Sequence, residues 1–443
     1  MAKSRDSTAT RPGRLRYAIL LLVFVITVVN YADRSIISIA GPSLSDELGL
    51  NAVTMGYIFS AFGWSYVIGQ LPGGWILDKF GTKWVYAASI TLWSAFTVMQ
   101  GAVGFFTGAA AVTLLFTLRF MVGLAEAPSF PANARVVSAW FPTAERGFAS
   151  AVFNSGQYFA TVLFAPLMGW IVHDFGWRHV FVVMGVLGIV MAVIWVRVIH
   201  PPRQHPRIGQ AELEYLEQGG ALLDLEDRKK AREQNLGWAA IKQLLRNRML
   251  VGVYIAQYCI TSLTYFFLTW FPVYLVKERG LTIMQAGFAA VLPALCGFFG
   301  GLLGGLISDR ILKQTGSLTL ARKIPIVAGM LLSMVILACN YVDSSALVIG
   351  FMTLSFFGKG MGSLGWAVVA DTSPKEAPGL NAGLFNTFGN IAGITTPIVI
   401  GYIVQASGGS FTGALVFVAM NALVALTSYL LVVGEIKRVS LKV

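Results

Sequence analysis

The sequence predicts an all-α membrane protein, with twelve transmembrane helices arranged as two six-helix halves. Three observations carry that expectation. First, 56% of the 443 residues are hydrophobic and only 12% are charged. Soluble domains carry about 25% charged residues, and a chain of this length would make roughly three of them, so a soluble multidomain enzyme is excluded. Disorder is excluded too, because disordered chains are poor in hydrophobic and aromatic residues. Second, apolar stretches recur from end to end, at about 37 residues per span for twelve spans, which suits helices of ~20 residues with their loops. Third, short motifs recur at one nearly constant offset between the first and second parts of the chain.

The spans are expected at 17–40, 54–77, 84–106, 110–134, 147–172, 179–198, 249–275, 284–307, 324–342, 346–370, 380–404 and 411–433. Stretches such as Ala18–Val29 and Ile324–Cys339 are almost wholly apolar, without the alternation of a membrane barrel. Residues 1–16 are polar and basic, but the apolar stretch that follows is too long for a cleaved leader and is read as a first helix. Residues 199–248 form the one long polar segment, read as a linker between two sets of six helices. Within it, 210–218 and 238–245 have the pattern of surface helices. Residues 434–443 form a short polar tail.

The net charge of +12 is explained by orientation. With both termini cytoplasmic, 27 of the 33 Lys and Arg residues fall on the cytoplasmic side. Only Arg178, Lys277 and Arg279 fall on the other, and Arg34, Arg119 and Lys359 lie within spans. The basic excess therefore gives no reason to invoke nucleic acid. Cys259, Cys296 and Cys339 all lie in apolar runs, so no disulfide framework is expected. The four histidines form no metal-ligand cluster, and no Walker segment or nucleophilic triad is present.

The repeat is carried by several pairs. Gly74-x-x-x-Asp78-Lys79-x-Gly81 leaves the second span, and Gly305-x-x-x-Asp309-Arg310 leaves the eighth, 231 residues later. Phe153-Asn154 matches Phe385-Asn386, Pro166 matches Pro397, and Gly169 matches Gly401, at offsets of 231 or 232. Parallel repeats of this kind build transporters. With the segment at 74–83, Gly-x-x-x-Asp-Lys-x-Gly-x-Lys, the chain resembles the major facilitator superfamily over nearly its whole length. Within it the chain resembles the anion:cation symporters for sugar acids, through Asn30-Tyr31-Ala32-Asp33-Arg34, Gln70-Leu71-Pro72-Gly73-Gly74-Trp75 and Glu126-Ala127-Pro128-Ser129-Phe130-Pro131. Phe356-Phe357-Gly358-Lys359-Gly360 and Leu364-Gly365-Trp366 bring it nearest to the glucarate/galactarate transporters.

Charges inside a bilayer cost ~2.5–3.5 kcal/mol or more each and mark function. Five lie in spans here: Asp33, Arg34, Arg119, Glu126 and Lys359. Adjacent on a helix, Asp33 and Arg34 point about 100° apart and are not natural partners. Arg119 and Glu126, seven apart, share a face, with Gly123 between them. No histidine lies in mid-membrane, so carboxyl groups are the remaining protonation sites. The resemblance implies that Arg34 binds a substrate carboxylate and that Asp33 and Glu126 carry protons. A guanidinium offers a planar fork for that carboxylate. Arg119 is expected to tune the neighbouring acids. Lys359, flanked by glycines in the other half, is expected to hold a second carboxylate, which makes a linear diacid the expected substrate. A hydroxylated substrate needs a polar lining, and the resemblance ranks Tyr31, Tyr66, Gln157, Trp366 and Asn386 highest for it.

The resemblance implies that Asp78, Lys79, Asp309 and Arg310 form a cytoplasmic gate that holds the halves together in one conformation. The resulting expectation is an importer of a sugar-acid anion, most of all glucarate or galactarate, driven by proton symport. No cofactor or metal is expected, the coupling ion being H+. The expected partners are the substrate anion and the lipid bilayer, with the chain acting as a monomer. The expected location is the bacterial inner membrane. The alternatives are a carrier of monocarboxylic sugar acids or hexuronates such as galactonate and glucuronate, or a non-transporting membrane sensor.

Overall fold

The computed structural model describes residues 13–224, 238–374 and 378–441, and these are almost entirely helical. The helices before the polar linker are α1 (Leu15–Leu48), α2 (Ala52–Phe80), α3 (Thr82–Gly101), α4 (Gly108–Glu126), α5 (Ser129–Trp140), α6 (Arg146–Phe175) and α7 (Trp177–Val198). Two short helices, α8 (Gln210–Gln218) and α9 (Trp238–Arg246), lie in the linker. After it come α10 (Arg248–Tyr265), α11 (Phe271–Lys277), α12 (Ile283–Ala289), α13 (Val291–Thr315), α14 (Leu318–Ser333), α15 (Ser345–Met361), α16 (Gly365–Thr372), α17 (Pro378–Ala406) and α18 (Thr412–Thr427).

Ten stretches among the described residues are long and apolar enough to cross a bilayer. Several join two consecutive helices, as α4 and α5 do in Gly108–Trp140 and α10 and α11 do in Arg248–Lys277. α2 and α3 have 29 and 20 residues, but their serine, threonine, tryptophan and tyrosine residues make them less apolar. The helices overrun the expected spans at several ends. α1 continues past residue 40 to Leu48, through Pro42, and stops at Gly49, whose left-handed φ of 63° returns its N–H to Ser45. A proline is tolerated inside a membrane helix because neighbours satisfy the freed groups.

Two irregularities interrupt the late helices. Pro272 lacks the N–H that an α-helix would return to Leu268, and the turn before it, Phe266–Trp270, is π-helical. The helix of α15 breaks at Gly362–Leu364 before α16 resumes.

Glycines set the spacing around Lys359. A Cβ on Gly360 would lie 2.1 Å from the Gly297 carbonyl oxygen of α13, and one on Gly358 would lie 2.5 Å from the Gly329 oxygen of α14. Gly300 and Gly304 of α13 are equally tight against Phe357 and Met361. α15 is thus wedged between two backbones at the level of Lys359, the close approach that small residues give membrane helices. Gly360→Ala must push α13 away. It is expected to cost more than the ~1–3 kcal/mol of ordinary overpacking and to lower the thermal midpoint of the detergent-purified protein. Gly305→Ala, with nothing within 4 Å of its Cβ, should melt like the parent.

The helices before and after the linker meet closely at the end away from the start of α1. There Lys277 pairs with Asp46, and the hydroxyls of Tyr57 and Tyr402 are 3.3 Å apart. A Cβ on Gly56 would meet the Pro397 oxygen at 2.6 Å, and one on Gly287 would meet the Ala165 oxygen at 2.6 Å. α2 and α17 remain joined as far as the bond from Asn386 Nδ2 to Gln70 Oε1, 3.2 Å. Beyond it Gly74, Gly379 and Gly383 have nothing within 4 Å. The contacts between the two sets of helices therefore cluster at one end and thin out toward the other.

The first part of the linker is fastened to the early helices. The buried Glu212 carboxylate accepts from the Leu15 and Arg16 amides at 3.2 and 3.1 Å, satisfying the free N–H groups that begin α1. Glu145 accepts from Arg16 Nε at 3.1 Å and from the Tyr215 hydroxyl at 2.6 Å.

Candidate functional site

Four of the five span charges gather among α1 and α4. Arg34 Nε donates to Glu126 Oε2 at 2.7 Å, and both groups are buried. The guanidinium sits inside an aromatic shell, its Cζ 4.7 Å from the Tyr31 ring centre, 4.7 Å from Phe62 and 4.9 Å from Tyr66. Such shells hold a cation without neutralising it. Arg34 Nη2 and Glu126 Oε1 have no protein partner. Asp33 points elsewhere, as the 100° step between neighbours requires. Its Oδ2 accepts from Thr97 Oγ1 of α3 at 2.9 Å, and its Oδ1 has no partner. Arg119 makes no ion pair with either acid among the described residues. Its Nη2 approaches the Arg34 carbonyl at 3.5 Å, with Cζ 5.6 Å from the Phe62 ring. It props α1 and lends positive potential to both acids.

Lys359 is buried, 6% exposed, and has no acidic partner among the described residues. Its Nζ lies over Phe356 at 5.1 Å and Tyr158 at 5.9 Å. A cavity lies between the two cationic shells, and the space of roughly 670 Å3 there includes the solvent it opens to. Tyr31, which shields Arg34, lines it, and so do Tyr158 and Phe356, which shield Lys359. Gln157, Ser35, Ser38, Thr161 and Thr264 add polar groups to walls that are otherwise mostly apolar.

The structure thus brings Tyr31 and Gln157 to the cavity, and Tyr66 to Arg34. Asn386 is instead spent on Gln70, joining α17 to α2. Trp366 is 56% exposed and packs on Phe385 with ring centres 5.0 Å apart, away from the cavity lining. Of the four gate residues, Asp78 pairs with Arg135 of α5. Lys79 lies over the Trp75 and Phe80 rings at 4.9 and 5.1 Å. Asp309 and Arg310 are exposed and make no ion pair among the described residues. In the late helices the comparable bond runs from Arg322 to Asp371 at 2.8 Å. Sequence reading missed Tyr158, Ser35, Thr97 and Asn30. Their signal was position: Tyr158 follows Gln157, and Asn30 and Thr97 face the buried acids.

Residues 23–321 match the profile of the Major Facilitator Superfamily. The probable galactarate/D-glucarate transporter GudP of Bacillus subtilis (strain 168) is 64% identical over 98% of this chain and 95% of its own. The D-galactonate transporter of Escherichia coli O6:H1 is 40% identical over 97% of this chain and 98% of its own. Among solved structures, a bacterial homologue of the human lysosomal transporter Spinster, in an inward-facing and occupied conformation, superposes with a TM-score of 0.72 at 16% identity, covering 94% of this chain and 96% of that one. A cavity flanked by buried charges, in a chain whose family and relatives are transporters, defines a membrane transporter rather than an enzyme. The chain belongs to the major facilitator superfamily.

Proposed function

We propose that the protein imports the sugar diacids galactarate and D-glucarate by proton symport, with access alternating around the central cavity. The observation that carries this reading is Lys359, a buried cation with no acid of its own, set across the cavity from the shell of Arg34. A linear diacid supplies one carboxylate to each cation, whereas a monoacid leaves Lys359 uncompensated. The named relatives agree: identity is 64% to a probable diacid transporter and 40% to a galactonate transporter.

The pair Arg34–Glu126 gives a physical basis for coupling. Ionised Glu126 competes with substrate for the guanidinium. When Glu126 takes a proton, Arg34 loses its internal partner and is free to hold a carboxylate through Nη2 and Nε. Asp33 is the second carrier in this scheme. Release follows when the protons leave on the other side.

The layout proposed is twelve spans in two six-helix halves, with α2 and α3 supplying the two less apolar spans. The contacts support the repeat: Gly56 packs at Pro397 and Gly401, and Gly287, 231 residues on, packs at Ala165 and Gly169. Both termini are placed in the cytoplasm of a bacterial cell, on the basis of the Lys and Arg distribution. The end where the contacts cluster is then external, the conformation inward-open, and the gate formed by Asp78, Lys79, Asp309 and Arg310 released. A monomer suffices, since one chain lines the cavity.

Uptake into proteoliposomes tests the reading. With an inward proton gradient, galactarate and D-glucarate should accumulate, and galactonate and glucuronate should compete weakly. Two protons per diacid make the cycle electroneutral, so an imposed potential, worth ~2.3 kcal/mol per charge per 100 mV, should not alter diacid uptake. Equal uptake of galactonate overturns the substrate assignment, and uptake indifferent to the proton gradient overturns symport.

A further inference from the structure

Among the described residues, twelve buried side-chain N or O atoms lack a protein partner, and eleven of them belong to α1, α3, α4 and α5. Buried polar groups cost several kcal/mol each in a bilayer when unsatisfied, so this concentration is a chemical feature and not scatter. The atoms line up. From Glu126 the polar positions continue at Ser129 and Asn133, spaced three and four residues along one face of α4 and α5. On α1, Asn30 faces Glu126, and Thr27, one turn earlier, accepts from Asn133 Nδ2 at 3.0 Å. The Tyr86 hydroxyl of α3 lies beside Ser129 and Asn133, with no hydrogen bond of good geometry. The charged groups facing this seam are Arg34, Arg119, Asp33 and Glu126. The seam runs from Glu126 toward the end where Asp78 pairs with Arg135.

The substrate cavity lies on the other side of α1. It is lined by Tyr31, Ser35 and Ser38 of α1 with residues of α6, α10, α11, α13 and α15, and by none from α3, α4 or α5.

We propose that this seam is a water-binding proton path: protons leave Glu126 through Ser129, Asn133 and Tyr86, inside the early helices, and not through the substrate cavity. The Glu126 carboxyl gives its proton to a water held by Ser129 and the asparagine side chains, making a hydronium ion. Tyr86 O–H accepts one proton and releases another toward the open end. Glu126 is left ionised and re-forms its pair with Arg34. This inference rests on the symport reading above.

Tyr86→Phe, Ser129→Ala and their double variant remove only oxygen atoms that make no hydrogen bond of good geometry in the protein. In proteoliposomes made with the full chain, the double variant should take up galactarate under a proton gradient at least tenfold more slowly than the parent. Its counterflow of labelled against unlabelled galactarate should stay within twofold, and its thermal midpoint should be unchanged or higher. Parent-like driven uptake in the double variant overturns the path. So does an equal fall in driven uptake and counterflow, or a lowered midpoint, which would mark a structural role. If the parent itself ignores the proton gradient, symport fails and this path fails with it.

Discussion

Glu126→Gln and Asp33→Asn proteins in proteoliposomes will exchange substrate without accumulating it. Gln at 126 reproduces the uncharged form of the acid and cannot compete for Arg34 as a carboxylate does. Arg34, in its shell of Tyr31, Phe62 and Tyr66, is then permanently available, so counterflow should persist at near-parent rates. Accumulation should collapse, because each proton removed from the cycle forfeits about 1.4 kcal/mol per pH unit of gradient, a tenfold change in the attainable ratio. Asn at 33 keeps a group that Thr97 can reach but cannot carry a proton, so the same split is expected. Normal accumulation by either variant under an imposed proton gradient would exclude that residue as a carrier. Loss of counterflow in Glu126→Gln would show instead that the ionised pair itself holds the site in shape.

Lys359→Asn should move preference from diacids toward monoacids. A hydrogen bond to a charged group contributes about 1.5–3 kcal/mol, which is roughly ten- to hundredfold in affinity. Inhibition constants for galactarate and D-glucarate should therefore rise by at least tenfold, while galactonate, with one carboxylate to place on Arg34, should hold or improve. Removal of an uncompensated buried cation should also raise the thermal midpoint of the empty protein. Unchanged selectivity between diacids and monoacids would remove Lys359 from the substrate site.

Much of this arrangement was legible in the sequence because a bilayer leaves few alternatives. A charge in an apolar run stands out, and all five that were singled out are buried together or beside one cavity. The pairing of Arg34 with Glu126 was not legible, since it depends on how α1 and α4 rotate against each other. Lys359 could be named, but its lack of an acid partner had to be seen. Asn386 and Trp366 were chosen by resemblance, and in this conformation one bonds Gln70 and the other lies out by Phe385. Aromatic residues such as Tyr158 carry no sequence signal, because rings are common in membrane helices and only their placement over a cation distinguishes them. Helix ends overran the expected spans because hydropathy marks the bilayer, whereas α1 ends where Gly49 turns the chain.

The carboxylate of Glu212 also sets an order of events. α1 is made well before α8, yet the amides that begin it bond to a side chain 196 and 197 residues later. At ribosomal rates of 5–20 residues per second, that partner arrives on the order of 10–40 s afterwards. It emerges after α7 and before α10. The start of α1 is therefore left unfinished until the seven helices before the linker have all been synthesised, and the fastening of α8 closes that group before the later helices exist. A truncation after residue 198 would lack this closure, and one after 224 would possess it.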